Sequence, residues 1–181
     1  MSRITIIDNN NANLEQKALL DAIQAQLGMV PNFLKVLANS PTALRAFLGL
    51  HGVSGAGSVD GLTRERIALA LAQQNSCEYC VSAHTAIGRK AGLSGGEMAA
   101  ARAGTSEDAK AAAAVKFAKS LMETRGGVSA ADLMEVRAAG YTDADITEII
   151  MHVGMNFLTN VIGRASQVEI DFPKVDLALP A

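Results

Sequence analysis

The sequence predicts an all-α fold, and three observations carry that prediction. The 181-residue chain is 49% apolar but only 4% aromatic, so its core must be built from Ala, Leu, Ile, Val and Met. Helices packed closely on small residues suit that mixture, whereas sheets draw on β-branched and aromatic side chains. A punctuation of glycine, apolar residue and Thr or Ser recurs at Gly61-Leu62-Thr63, Gly92-Leu93-Ser94 and Gly140-Tyr141-Thr142. Glycine closes a helix in the left-handed conformation, and Ser or Thr caps the next one. The one segment with any strand character is the short run Arg3 to Ile7.

These signals place helices near 13–27, 31–38, 41–50, 63–74, 76–91, 95–103, 107–124, 130–139 and 143–165. Asn13 starts the first, and Gly28 stops it. Ser40-Pro41 opens the third, since proline suits a first turn. Thr63 is read as a plain cap, because Arg66 stands where a capping box needs an acid. Asn75 and Ser76 cap the fifth helix and Gly92 closes it. Ser94 has Glu97 at capping-box distance, and Thr142 has Asp145. Gly104, Gly126 and Gly140 are further stops. In the last helix Ile146, Ile149, Ile150, Val153 and Phe157 recur at helical spacing and read as its core face. The Gly/Ser-rich run from Gly52 to Gly61 reads as a mobile loop. The tail of about 171–181, with Pro173 and Pro180, reads as extended.

Length suits a single domain over 1–181 with a sizeable core. Net charge is −2 and no dense basic block appears, which argues against nucleic acid as a partner. Residues 1–20 hold no apolar signal region, and no run approaches the ~20 residues that span a membrane. A cytoplasmic protein is the expectation.

Both cysteines lie in one string, Cys77-Glu78-Tyr79-Cys80-Val81-Ser82-Ala83-His84. In a reducing compartment such a pair points to catalysis or metal rather than to a structural staple. On a helix, Cys77, Cys80 and His84 share one face at i, i+3 and i+7. A helix start favours negative charge, and an ordinary thiol with pKa near 8.5 is only ~3% thiolate at pH 7. The helix start and a nearby imidazolium therefore give Cys80 a reason to ionise. Glu65, on the preceding helix, can reach His84 and orient it as a base for Cys80.

Rival readings stand beside this one. The cysteines could be two small buried apolar residues. Cys77, Cys80 and His84 could be three zinc ligands, with His51, His152 or an acid as the fourth, although structural zinc sites usually draw on separate elements. Val81 stands where covalent haem attachment needs histidine, and thioredoxin-like chemistry would want strands around the motif. Glu65 alone would simply complement a helix dipole. Tyr79 is either a packing residue or the holder of a relay water. Glu148, His152, Asn156 and Asn160 fall every four residues on the last helix, and a solvated face is favoured over a polar pocket lining. His51 reads as a surface residue. The seven methionines read as core filler rather than a copper site.

Glu65, eleven residues, Cys77-Glu78-Tyr79-Cys80, three residues and His84 together resemble the signature of the alkylhydroperoxidase D-like group of the carboxymuconolactone decarboxylase superfamily. Gly28-Met29-Val30-Pro31-Asn32-Phe33 resembles the N-terminal segment of its peroxidase-related branch. Asn156 to Asn160, running on to Glu169-Ile170-Asp171-Phe172-Pro173, resembles that branch's C-terminal end. The resemblance implies a compact, multi-helix alkylhydroperoxidase D-like domain, with a dithiol core at about 41–125, assembled as a homotrimer or homohexamer. It implies a thiol peroxidase needing no cofactor or metal. Cys80 would attack the hydroperoxide and Cys77 resolve the product to a disulfide. His84 and Glu65 would move protons, and a dithiol reductant, in the family a lipoyl-type adaptor, would reopen the pair. The chain departs from the best-known members at Tyr79, which stands where they carry a second histidine. A phenol with pKa near 10 is a poor base at neutral pH. The decarboxylase branch lacks this dithiol, which disfavours decarboxylation.

Overall fold

The structure, a computed structural model, describes residues 2–178. Among these are nine helices and no strand: α1 Leu14–Leu27, α2 Asn32–Leu37, α3 Pro41–Ser54, α4 Gly61–Gln74, α5 Glu78–Ala91, α6 Gly95–Ala103, α7 Ala109–Thr124, α8 Ala130–Ala138 and α9 Asp143–Ser166. The run Arg3 to Ile7 is not a strand. Its amides instead bond to single carbonyls of other elements, Arg3 N–H to Ser166 and Ile7 N–H to Lys35.

Helix α4 is the centre of the molecule, packed against α5, α6, α7 and α9. Its sequence explains this: Ile67, Leu69 and Leu71 are fully buried on different sides, and Ala68, Ala70 and Ala72 fill the gaps between them. Alanine adds little bulk, so four neighbours can approach one axis. One core forms where α4, α7, α8 and α9 meet, around Ile67, Leu71, Val115, Phe117, Val136 and Ile149. A second, N-terminal core holds Leu20, Ile23, Leu34, Leu37, Leu44 and Phe47 from α1, α2 and α3. A third gathers Val36, Ala72, Tyr79, Val81 and Val168 around the two cysteines, with Phe172 and Val175 of the tail packed on it.

Local chemistry matches the sequence reading at most ends. Asn13 forms a capping box with Gln16, Ser40 accepts from Ala43 N–H with Pro41 in the first turn, and Thr142 boxes with Asp145. Gly92 and Gly140 hold positive φ, 107° and 90°. The first junction is different. Helix α4 begins at Gly61, capped by Asp60, whose carboxylate accepts the Thr63 N–H at 2.9 Å and its hydroxyl at 2.6 Å. Thr63 is thus a residue of the first turn rather than the cap. Glu97 does not return to Ser94; it is buried against Arg66 and Ser106 and accepts the Glu107 N–H at 2.9 Å.

The expected mobile loop is shorter and anchored. Helix α3 runs on to Ser54, whose carbonyl accepts from Arg64 Nη1 at 2.9 Å. Val59 is buried and donates its N–H to Glu148 at 2.9 Å. The described part of the tail is extended, as expected, but it is fastened: Val175 N–H donates to Ser82 Oγ, and Arg102 Nη2 donates to the Asp176 carbonyl. Pro180 lies outside the described residues.

Candidate active site at the dithiol

The site is assembled on the α4–α5 hairpin. After α4 ends at Gln74, Ser76 turns the chain in the left-handed region, φ 53°, and the Cys77 N–H returns to the Ala72 carbonyl. This places Cys77, not Asn75 or Ser76, as the cap of α5. Its sulfur accepts the Cys80 N–H at 3.3 Å. The capping role therefore passes to the Cys77 sulfur, and in the reduced protein the helix start favours negative charge at both cysteines of this turn. Cys80 follows in the first turn. The two cysteines form a disulfide, with their Cα atoms 5.2 Å apart, and both residues are buried.

One turn on from Cys80, His84 Nδ1 lies 2.9 Å from Glu65 Oε2. A carboxylate can only accept, so Nδ1 carries the proton and donates it. Nε2 is then the ring's proton-accepting atom, the tautomer a base needs. The sequence-based pairing of Glu65 with His84 is thus present in the geometry.

Tyr79 is placed elsewhere. Its hydroxyl donates to Asp171 Oδ1 at 2.7 Å and accepts the Phe33 N–H at 3.3 Å. Its ring meets Phe33 and Phe172 edge-on at 5.9 and 5.8 Å. Burial, then the Asp171 carboxylate, pushes its pKa far up. Of the two sequence readings of Tyr79, packing is the one this geometry supports.

Helix α9 lies over the sulfurs; Ile146, Ile149 and Val153 are in the core as the sequence leads one to expect, but the rest of the helix departs from that expectation. His152, Asn156 and Asn160 are buried, while Ile150 and Phe157 are half exposed. The polar i, i+4 row lines the interior, and an apolar stripe of Ile150, Phe157, Leu158 and Val161 faces outward. Gly163 shows how close α9 comes: a Cβ there would lie 2.9 Å from Cys77 Sγ and 3.6 Å from Cys80 Sγ. Gly163 was missed from sequence, because nothing local marks a glycine as facing a sulfur.

His51, on α3, is exposed and its ring leans on Phe47 at 5.7 Å. His152 Nε2 is buried with no hydrogen-bond partner among the described residues. Desolvation lowers the pKa of both histidines; for His51 the His84 charge acts next, and for His152 that of Arg64. The three histidines thus share the electrostatic neighbourhood of Glu65. Among the described residues, no three His, Cys, Asp or Glu side chains stand where they could hold one metal ion. No helix among them is long and apolar enough to cross a membrane.

A stability prediction follows. Burial holds the His152 pKa below the value of about 6.5 that it has in the unfolded chain. The folded state then binds fewer protons, so its stability is complete above about pH 6.5 and falls as pH drops below it. Thermal melts from pH 7.5 to 5.5 should show a falling Tm, with a shallower fall in His152→Gln. An equal slope in the variant would remove His152 as the cause. Asp60, Glu97, Asp145 and Glu148, whose pKa values are lowered from 3.8 or 4.5, act at more acid pH.

Residues 41–123, α3 to near the end of α7, match the model of the carboxymuconolactone decarboxylase family. Over that stretch, just under half of its length, the chain is similar to that family. Solved structures agree over the whole fold. A peroxidase-related protein from Silicibacter is 26% identical, with a TM-score of 0.80 over 92% of this chain and 89% of that one. A peroxidase-related protein from Ralstonia eutropha, described by its alkylhydroperoxidase D core, is 24% identical, with a TM-score of 0.82 over 94% and 92%. A variant of the debrominase Bmp8 in complex with 2,3,4-tribromopyrrole is 19% identical, with a TM-score of 0.78 over 94% and 92%. No curated protein matches the sequence. The all-helical, alkylhydroperoxidase D-like fold of these structures is the fold of this chain.

Proposed function

We propose that the protein is a thiol-dependent peroxidase, an antioxidant oxidoreductase acting through Cys77 and Cys80. The observation that carries this reading is a dithiol in the first turn of α5, one turn from a carboxylate-oriented histidine. Cys80 thiolate attacks the terminal oxygen of a hydroperoxide; the O–O bond breaks, an S–O bond forms, and the alkoxide takes a proton. His84, its Nδ1–H held by Glu65, supplies it from Nε2, returning the proton it took from the Cys80 thiol. Cys77 then displaces water from the Cys80 sulfenic acid to close the disulfide. A dithiol reductant, in the family a lipoyl-type adaptor, reopens it by exchange. With its phenol held by Asp171, Tyr79 has a positioning role, and no second base is invoked. No cofactor enters this cycle, and we expect it to run in the cytoplasm.

The test is peroxide consumption with a dithiol donor. Cys80→Ser should lose all but a few per cent of the rate, and Cys77→Ser should stop at the sulfenic acid. Cys80→Ser consuming peroxide at the wild-type rate would sink the mechanism. Substoichiometric peroxide added to the reduced protein, with the remaining thiols blocked only afterwards, should yield an unlabelled species about 2 Da lighter than the reduced chain.

A second reading is a disulfide reductase or redox relay that cycles the same pair without peroxide. The engaged Tyr79 hydroxyl favours it, because the second base of the best-known peroxidases has no counterpart here. Dithiol turnover without peroxide consumption would select this reading. The debrominase likeness adds that the framework also carries other chemistry.

The reading includes assembly as a homotrimer or homohexamer, supported by the exposed Ile150 and Leu158 of α9, which lie outside the cleft beside Cys77. Light scattering at micromolar concentration should give a mass at least three times that of the subunit; a monomer would count against it.

A further inference from the structure

A cleft of about 730 Å³ opens between the start of α5 and the second half of α9, with Cys77 on its wall. That volume suits a small organic molecule. Phe157 and Val161 give it an apolar side, and Arg3 and Arg164 stand on its lining. Neither arginine has an ion-pair partner among the described residues. The acid in the lining, Glu78, is already paired with Lys174 at 3.3 Å. Deep in the cleft sits Asn160, 1% exposed. Its Oδ1 accepts from Asn75 Nδ2 at 2.9 Å, but its own Nδ2 has no partner among the described residues. A buried amide donor left unsatisfied costs on the order of 1–3 kcal/mol, so this group calls for a partner that the described residues do not supply.

We infer that this cleft binds a small apolar molecule bearing a carboxylate, with Arg3 and Arg164 drawing the anion and Asn160 donating to a polar atom beside Cys77. Cationic charge at an open mouth raises the local concentration of anions. Apolar walls hold the body of the ligand, and the unpartnered amide fixes its reactive end. Two sources share this chemistry, a dithiol acid and a hydroperoxy acid. The inference rests on the redox reading only in that choice of ligands.

For a dithiol acid the exchange balances as follows. One thiolate of the donor attacks Cys77 Sγ, and the Cys77–Cys80 bond breaks. Cys80 leaves as thiolate and takes a proton. The donor's second thiol then displaces Cys77, which is protonated in turn, and the donor departs as its own disulfide.

The first test needs no turnover. Reduced protein is treated with iodoacetate or iodoacetamide, and Cys77 modification is followed by mass. The iodoacetate-to-iodoacetamide rate ratio should exceed that of glutathione by roughly fivefold. It should fall to the glutathione value in Arg3→Gln/Arg164→Gln, whose substitutions lie at exposed positions, and should also fall in Asn160→Asp. A wild-type ratio no higher than glutathione's, or one unchanged in the double variant, overturns the inference. The second test compares dihydrolipoate with dihydrolipoamide in reopening the disulfide, and a fatty-acid hydroperoxide with its methyl ester in closing it. A charge preference in the first pair assigns the cleft to the reductant, and in the second to the oxidant. No preference in either pair overturns the inference. If peroxide fails to close the pair while the alkylation ratio holds, the peroxidase reading falls and the cleft stands.

Discussion

Tyr79→Ala should be the most damaging single substitution near the site, lowering stability by about 3–5 kcal/mol. The ring is buried between Phe33 and Phe172, so truncation opens a cavity at the junction of α2, α5 and the tail. It also leaves the Phe33 N–H and the Asp171 carboxylate without the hydroxyl that joins them. Tyr79→Phe separates the two contributions. It keeps the ring and should cost only about 1–2 kcal/mol. Denaturant unfolding reads both values. The rate of disulfide closure by peroxide should be unchanged in Tyr79→Phe, since the phenol faces Asp171. A tenfold slower closure with intact stability would return Tyr79 to the proton pathway.

Gly163→Val should lower stability by about 1–3 kcal/mol and hinder the dithiol at the same time. Even one added carbon would sit 2.9 Å from Cys77 Sγ, closer than a Cβ is normally found to any atom, and valine adds two more. Either α9 lifts or the first turn of α5 shifts, and both displace the sulfurs. Thermal melts should show the destabilisation, and thiol titration of the reduced protein should show the cysteines more accessible. A wild-type Tm with unchanged thiol reactivity would mean that α9 yields at no cost. Gly154, on the outward side of the same helix with nothing within 4 Å of its added Cβ, is the control position, and Gly154→Ala should be neutral or mildly stabilising.

The elements were legible because their ends are written locally. A cap, a left-handed glycine or a first-turn proline lies within a few residues of the boundary it sets. The dithiol, His84 and Glu65 were legible for a similar reason, since α4 and α5 are consecutive helices joined by a tight turn. What was not legible is relational. Helical periodicity correctly places Ile146, Ile149 and Val153 of α9 inside, but it cannot say how wide the buried face is. The usual rule put Phe157 and Ile150 in the core and the His152–Asn160 row in solvent, and the structure has them reversed. The partner of Tyr79 lies 92 residues away, in a tail with no periodic signal. The capping role of Cys77 was hidden by two better capping residues just before it; Ser76, held at φ 53°, serves the turn instead.

The fastening of Asp171 to Tyr79 and Asn32 sets an order of events during synthesis. At roughly 5–20 residues per second, the ribosome delivers Asp171 on the order of 5–20 s after Tyr79. Until the end of that interval the two thiols lack a completed α9 above them and the tail beside them, so they are open to exchange before their own cover exists. The three-residue spacing lets the pair close within its own first turn, with no help from distant segments. A newborn chain can therefore protect its sulfurs as a local disulfide and hand a closed pair to the finished fold, whose first redox act would then be reduction.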